Sequence, residues 1–148
     1  MKSLAGFLKP NKIEKENEFY AASKSFLDEA GAPLLWEMKG ITSDEDSKLR
    51  AKCYKAVPVI GKNGKAIKNQ TTKEFQVELY MTELAVACIV FPDLMNAELQ
   101  DSYQVKTPTA LLGAMLSPGE LSDIKLKAQE MCGFDNEVED ELVDEAKN

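Results

Sequence analysis

The sequence predicts an α+β fold, with its strands early in the chain and its helices late. Three observations carry this. Residues 34–39 alternate in polarity, an Asn-Gly pair sits between two short apolar runs at 63–64, and helix-capping signals gather after residue 106. The strands are expected in a small antiparallel β-hairpin region, about 18–41 and 58–69, followed by a mainly α-helical core over 72–133.

Residues 1–17 mix Lys, Glu and Asn and read as a flexible N-terminal arm, although Leu4, Phe7 and Leu8 offer docking points. In the next stretch Phe19, Ala22, Ser23, Phe26 and Leu27 fit a helical face, yet 18–26 fits a strand equally well. Leu34, Trp36 and Met38 then alternate with Leu35, Glu37 and Lys39, the period of a half-buried strand. "DEAGAP" between the two halves has turn chemistry and suggests a hairpin.

Ser43 is expected to cap a helix whose first turn holds Asp44, Glu45 and Asp46, where the helix dipole favours negative charge. Leu49, Cys53 and Val57 would form its apolar stripe, and Pro58 would end it. Asn63-Gly64 predicts a two-residue type I′ hairpin turn. From Thr72 to Phe91 the pattern predicts the main core helix, apolar on all faces at "LAVACIVF" and stopped by Pro92. Asn96 is positioned to cap a short helix, with Leu94, Leu99 and Tyr103 filling the core at this corner. Thr107-Pro108 opens another helix, and "SPGE" (Ser117, Pro118, Gly119, Glu120) is a capping box. Gly133 suits the left-handed terminator of that last helix, with Phe134 folding back.

Composition limits the chemistry. The chain of 148 residues is long enough to bury a sizeable core. It contains no histidine, which removes the commonest general base and metal ligand. Cys53, Cys88 and Cys132 are widely spaced, odd in number and without a Cys-x-x-Cys pair, as expected of reduced thiols in a cytoplasm. No secretory signal or membrane-length apolar run is expected. Catalytic, cofactor-binding and metal-binding residues are therefore all read as none.

Charge is unevenly placed. Of the net −7, the final fourteen residues, "DNEVEDELVDEAKN", carry −6, which marks 135–148 as an acidic C-terminal tail. Between Ser47 and Lys73 stand eight basic residues and no acid. "GKNGK" within this stretch lacks phosphate-loop spacing, so the hairpin reading is preferred. Lys62, Lys65 and Lys68 are expected to form a solvated hairpin edge that attracts acidic segments, including the tail of a neighbouring copy.

"VFPDLMNAELQDSYQV", followed by "LLGAMLSPGELSDIKLKAQEMCGFD", resembles the signature of XkdN-like tail assembly chaperones of bacterial viruses and defective prophages. "SKSFLDEAGAPLLWEMKGIT" and the cysteine-bearing stretch after it resemble the same family. On this resemblance, Trp36, Pro92, Leu94, Leu99, Tyr103, Pro118, Gly119, Glu120 and Gly133 are structural signature positions, and 18–134 is a single tail-chaperone domain. Gln104 departs from the family, whose members tend to have Gly after Ser-Tyr, which puts the local turn in question.

The resemblance implies a non-enzymatic role in the host cytoplasm. Such a chaperone binds the tape-measure protein, keeps it soluble, assists tail-tube assembly and leaves the finished particle of a contractile or PBSX-like tail. Asp93, Asn96 and Gln100 are the polar positions expected to touch a partner. The tail-tube protein is a second implied partner, through a longer form made by a −1 frameshift near Ala146–Asn148. Two rival readings are a small nucleic-acid-associated protein using the basic 47–73 stretch, which the acidic composition disfavours, and a tail component that stays in the particle.

Overall fold

A computed structural model describes residues 2–134. The acidic tail and the proposed slip site at Ala146–Asn148 lie outside the described residues. The architecture is α+β, as the sequence predicts, with two separate antiparallel sheets, five α-helices and two short 3-10 turns near the start among the described residues.

Strands β1 (Glu18–Tyr20), β2 (Trp36–Met38) and β5 (Ile89–Phe91) form one sheet in the order β1-β2-β5. The ambiguous 18–26 segment is thus a strand at its start only. β2 has the predicted alternation: Trp36 and Met38 are buried and Glu37 is half-buried. Leu34 does not share that buried face; it is 46% exposed, because the strand begins only at Trp36. "DEAGAP" makes its own tight loop. The Asp28 carboxylate accepts from the N–H groups of Ala30 and Ala32 at 2.9 Å, Gly31 takes a φ of 84°, and Leu27 bridges Pro33.

Helix α1 (Ser43–Ala51) is capped by Thr42, not Ser43. The Thr42 hydroxyl accepts from Glu45 N–H at 3.2 Å, and the Glu45 carboxylate accepts from Thr42 N–H at 3.3 Å. Glu45 three residues on makes Thr42 the reciprocal partner, which Ser43 lacks. These bonds hold the Glu45 carboxyl below its ordinary value, the backbone bond from Thr42 contributing most. The helix also stops earlier than expected. Val57 and Pro58 belong to strand β3 (Tyr54–Ile60), paired with the long β4 (Ala66–Phe75). Pro58 is tolerated because a two-stranded ribbon has only edge strands.

The turn of this ribbon is three residues, not two. Gly64 N–H donates to Gly61 O at 3.0 Å, Gly61 N–H donates to Lys65 O at 2.8 Å, and of the three turn residues 62–64 only Gly64 has positive φ. That is the geometry of a type I turn followed by a left-handed glycine, and Asn63 contributes by accepting from Lys65 N–H instead.

The core helix α2 (Val77–Cys88) is shorter at both ends than predicted. Its expected first turn is the end of β4, and "IVF" at its far end is β5. Pro92 therefore follows a strand, joined to Phe91 by a cis peptide bond, and does not stop the helix. β-branched and aromatic residues at 89–91 suit a pleated edge beside β2 better than a further helical turn. α3 (Ala97–Ser102), α4 (Pro108–Met115) and α5 (Pro118–Met131) begin as predicted, at Asn96, Thr107 and the Ser117/Glu120 box. α2 and α5 lie side by side, and Tyr80, Leu84, Leu111, Leu112, Ile124 and Met38 form the centre of the core.

α3 and α5 end in the same motif with different residues. Phe134 N–H reaches Gln129 O and Gly133 N–H reaches Glu130 O, with Gly133 at φ 83°. Val105 N–H reaches Gln100 O and Gln104 N–H reaches Asp101 O, with Gln104 at φ 58°. A left-handed conformation costs a non-glycine residue about 1–2 kcal/mol, partly offset by the entropy glycine loses on folding. Gln104→Gly is expected to stabilise the protein by roughly 1 kcal/mol at most, a rise in Tm of about 2 °C. An unchanged or lower Tm in a thermal melt would show that this turn carries no strain.

Candidate functional site

Two surfaces stand out. The first is an apolar groove of about 330 Å³ between the 26–36 stretch and the 91–103 corner. Phe26, Leu34, Leu35 and Trp36 line one side; Phe91, Pro92, Leu99 and Tyr103 line the other, with Met115 contributing from α4. Phe91 is 60% exposed and Leu35 54%, and Met95 lies on the same corner at 72%. Leu94 is buried under this corner, and Leu99 and Tyr103 pack partly on the core while their outer atoms face the groove. These signature residues are thus both framework and lining.

The polar residues of the corner hold its shape. Asp93 accepts from Met95 N–H at 3.0 Å, Asn96 caps α3 through Leu99 N–H at 2.9 Å, and the Gln100 amide donates to Leu94 O at 2.8 Å. Asp93 and Asn96 remain exposed, and Gln100 is half-buried. Among the other signature residues, Trp36 is buried in the first sheet, Pro118, Gly119 and Glu120 form the first turn of α5, and Gly133 ends it.

The groove was missed in the sequence because its walls come from stretches more than fifty residues apart. Phe26, Leu34, Leu35, Phe91 and Met115 carry no local signal beyond being apolar.

The second surface is the β3–β4 ribbon. Between Tyr54 and Glu74 no residue is fully buried, and Lys55, Lys62, Lys65, Lys68 and Lys73 are all exposed. Lys62 and Lys65 lie at the turn and Lys68 lies in β4 just behind it, while Asp93, Asn96 and Gln100 belong to the other surface. The base of the ribbon is fixed firmly. Phe75 is buried, its ring 5.2 Å from that of Tyr54 and 5.5 Å from that of Tyr80. The Arg50 guanidinium lies 4.8 Å from the Tyr80 ring centre and donates to Asp46 at 3.1 Å. Asp46 also accepts from the Tyr80 hydroxyl, whose pKa is raised by burial first and by this bond second. α1, α2 and the ribbon root are joined through these groups.

Among the described residues no cluster of three or more Cys, Asp or Glu side chains could hold a metal ion, and no helix is long and apolar enough to cross a membrane. Two thiols do meet, with the sulfurs of Cys88 and Cys132 3.5 Å apart. The sulfur contact with Cys88 lowers the Cys132 thiol below its ordinary value, helped by the Ile41 backbone, while the same contact and burial push Cys88 up. Burial raises Cys53 as well. Since the thiolate is the nucleophile, iodoacetamide should modify Cys132 first, at a lower pH than an ordinary thiol requires, and Cys88→Ala should shift that pH dependence upward. Equal labelling of all three cysteines, read by peptide mass, would refute this.

Comparison with known proteins agrees with this architecture. Residues 4–147 match the family model described as phage XkdN-like tail assembly chaperone protein. YqbN of Bacillus subtilis strain 168 is 30% identical over 148 residues, covering 98% of this chain and 93% of that one. The phage-like element PBSX protein XkdN of the same organism is 27% identical over 146 residues, with the same coverage. The crystal structure of YqbN superposes with a TM-score of 0.74 at 24% identity, over 91% of this chain and 99% of that one, which establishes a shared fold.

Proposed function

Because the chain belongs to the XkdN-like family of phage tail assembly chaperones, we propose that it sheathes the tape-measure protein during tail assembly. It acts in the cytoplasm of the bacterial host, assists the addition of tail-tube subunits and leaves before the particle is complete. The observation that supports this reading best is the apolar groove with its exposed rim of Phe91, Leu34 and Leu35. A monomeric surface seldom leaves such side chains together in water unless something covers them.

A tape-measure chain is expected to present long runs of apolar helical surface, which aggregate until covered. An amphipathic helix seated in a groove buries anchors spaced three and four residues apart, and repeats of that spacing allow many copies to bind along one chain. The role is one of binding, not catalysis. Asp93, Asn96 and Gln100 would supply polar contacts at the same corner.

Co-expression with a tape-measure fragment tests the proposal. The fragment should stay in the soluble fraction and co-elute with this protein on gel filtration. If it aggregates to the same extent with and without its partner, the proposal is wrong.

The exposed lysines of the ribbon favour nucleic-acid binding as a second reading. That would appear as retention on DNA that falls steeply with salt.

A further inference from the structure

We propose that Cys132 and Cys88 are a redox-active pair: a hydroperoxide oxidises the half-exposed Cys132 thiol, and the buried Cys88 thiol then closes a reversible disulfide onto it. This goes beyond the groove reading and does not depend on what the groove binds.

Proximity is the first argument. Cys88 is the last residue of α2 and Cys132 follows the last residue of α5, so two neighbouring helices end with their sulfurs 3.5 Å apart. The backbone is pinned on both sides. Cys88 O accepts from Lys39 N–H at 2.8 Å, and Cys132 N–H donates to Ala128 O at 3.1 Å. A disulfide needs its sulfurs about 2 Å apart, a closure of roughly 1.5 Å at two helix ends. Groups held in contact react without the entropy cost of a bimolecular encounter. Cys53 is engaged elsewhere, its Sγ donating to Leu49 O at 3.3 Å.

Access separates the two roles. Cys132 lines an open cleft of about 200 Å³ with Ile41, Thr42, Ser43, Asp46 and Phe134, at the start of α1. A small oxidant entering this cleft meets the Cys132 sulfur, whereas Cys88 and Cys53 are fully buried. The charge state favours the same thiol. The contact with Cys88 lowers Cys132 most, the Ile41 backbone and Lys15 add to it, and burial and Asp46 oppose them. Cys88 is pushed up by the same contact and by burial, so it keeps its proton. A thiolate within reach of solvent, beside a second thiol, is the arrangement in which a sulfenic acid passes on to a disulfide.

The chemistry runs in two steps. The Cys132 thiolate attacks one oxygen of hydrogen peroxide, the O–O bond breaks, and hydroxide leaves and takes up the proton that Cys132 gave up. This yields Cys132–SOH and one water. The Cys88 sulfur then attacks the Cys132 sulfur, the S–O bond breaks, and the departing hydroxide takes the Cys88 proton as a second water. The two thiols together lose two electrons, and the peroxide gains them. A dithiol reductant reverses the bond by thiol–disulfide exchange. The closed loop spans residues 89–131, which carry β5, α3, α4 and α5 and therefore one wall of the groove.

Brief treatment of the reduced full chain with a small excess of hydrogen peroxide tests this. The intact mass should fall by two hydrogens in a chain that stays single on a non-reducing gel. Unreduced peptide maps should join Cys88 to Cys132, and dithiothreitol should restore both thiols. The Cys132 thiol should be lost faster than that of Cys53 by roughly tenfold or more. The oxidised chain should melt on the order of 10 °C higher, as a loop of this length predicts. In Cys88→Ala, dimedone should trap a sulfenic acid at Cys132, and in Cys53→Ala the bond should form at the unaltered rate. Thermal melts check that both variants fold. A disulfide between copies, a bond to Cys53, a sulfenic acid that persists in the unaltered chain, a bond that lowers Tm, or absence of reaction would each overturn the proposal and leave the two sulfurs as packing alone.

Discussion

Gly40→Ala is expected to destabilise the protein by about 3 kcal/mol, the cost of forcing an extra methyl into a packed interior. A Cβ on Gly40 would stand 2.5 Å from the carbonyl oxygen of Met131 and 3.3 Å from its carbonyl carbon. Both are backbone atoms at the end of α5, so no rotamer change relieves the contact. Either the link from β2 to α1 or the last turn of α5 must move, and Met38 and Met131, both buried, move with them. The fall in Tm should be on the order of 10 °C, with a lower urea midpoint and an unchanged slope. Gly113→Ala is the control. Its Cβ would meet nothing within 4 Å, and alanine within α4 should be neutral or stabilising by up to roughly 1 kcal/mol. Equal stability of Gly40→Ala and the unaltered protein would show that the two segments do not approach this closely.

The double substitution Leu35→Asp with Phe91→Asp is expected to abolish solubilisation of a tape-measure fragment while leaving the fold intact. Both side chains are more than half exposed, so the free protein should lose little more than about 1 kcal/mol, and its Tm serves as the check. Covered by a partner, each would contribute about 1.5–3 kcal/mol of apolar burial. Losing both weakens binding by roughly 10²- to 10⁴-fold, before the added cost of two unpaired carboxylates. A folded double variant that still held the fragment in solution would remove the groove from the mechanism. Reversal of the tip lysines Lys62, Lys65 and Lys68 would then be the next substitution to examine.

What the sequence determined by itself was local. Thr107, Ser117 with Glu120, Asn96 and Gly133 each start or end a helix through bonds made within five residues, so the signal and the structure coincide. The α+β class, the hairpin around Gly64, the alternation of Trp36 and Met38 and the family signature were legible for the same reason. Where two local readings competed, tertiary contact chose. Val57 completes an apolar stripe on a helix that would continue α1, but pairing with Thr72 across the ribbon places it in a strand. "IVF" continues an apolar helix by composition, but Lys39 N–H donating to Cys88 O and the pairing of Met38 with Ile89 turn it into an edge of the first sheet. The groove, the approach of Gly40 to Met131 and the meeting of Cys88 with Cys132 have no sequence signal. Each joins segments separated by tens of residues, and periodicity reports only the side of its own element that a residue occupies, not what the rest of the chain brings to it.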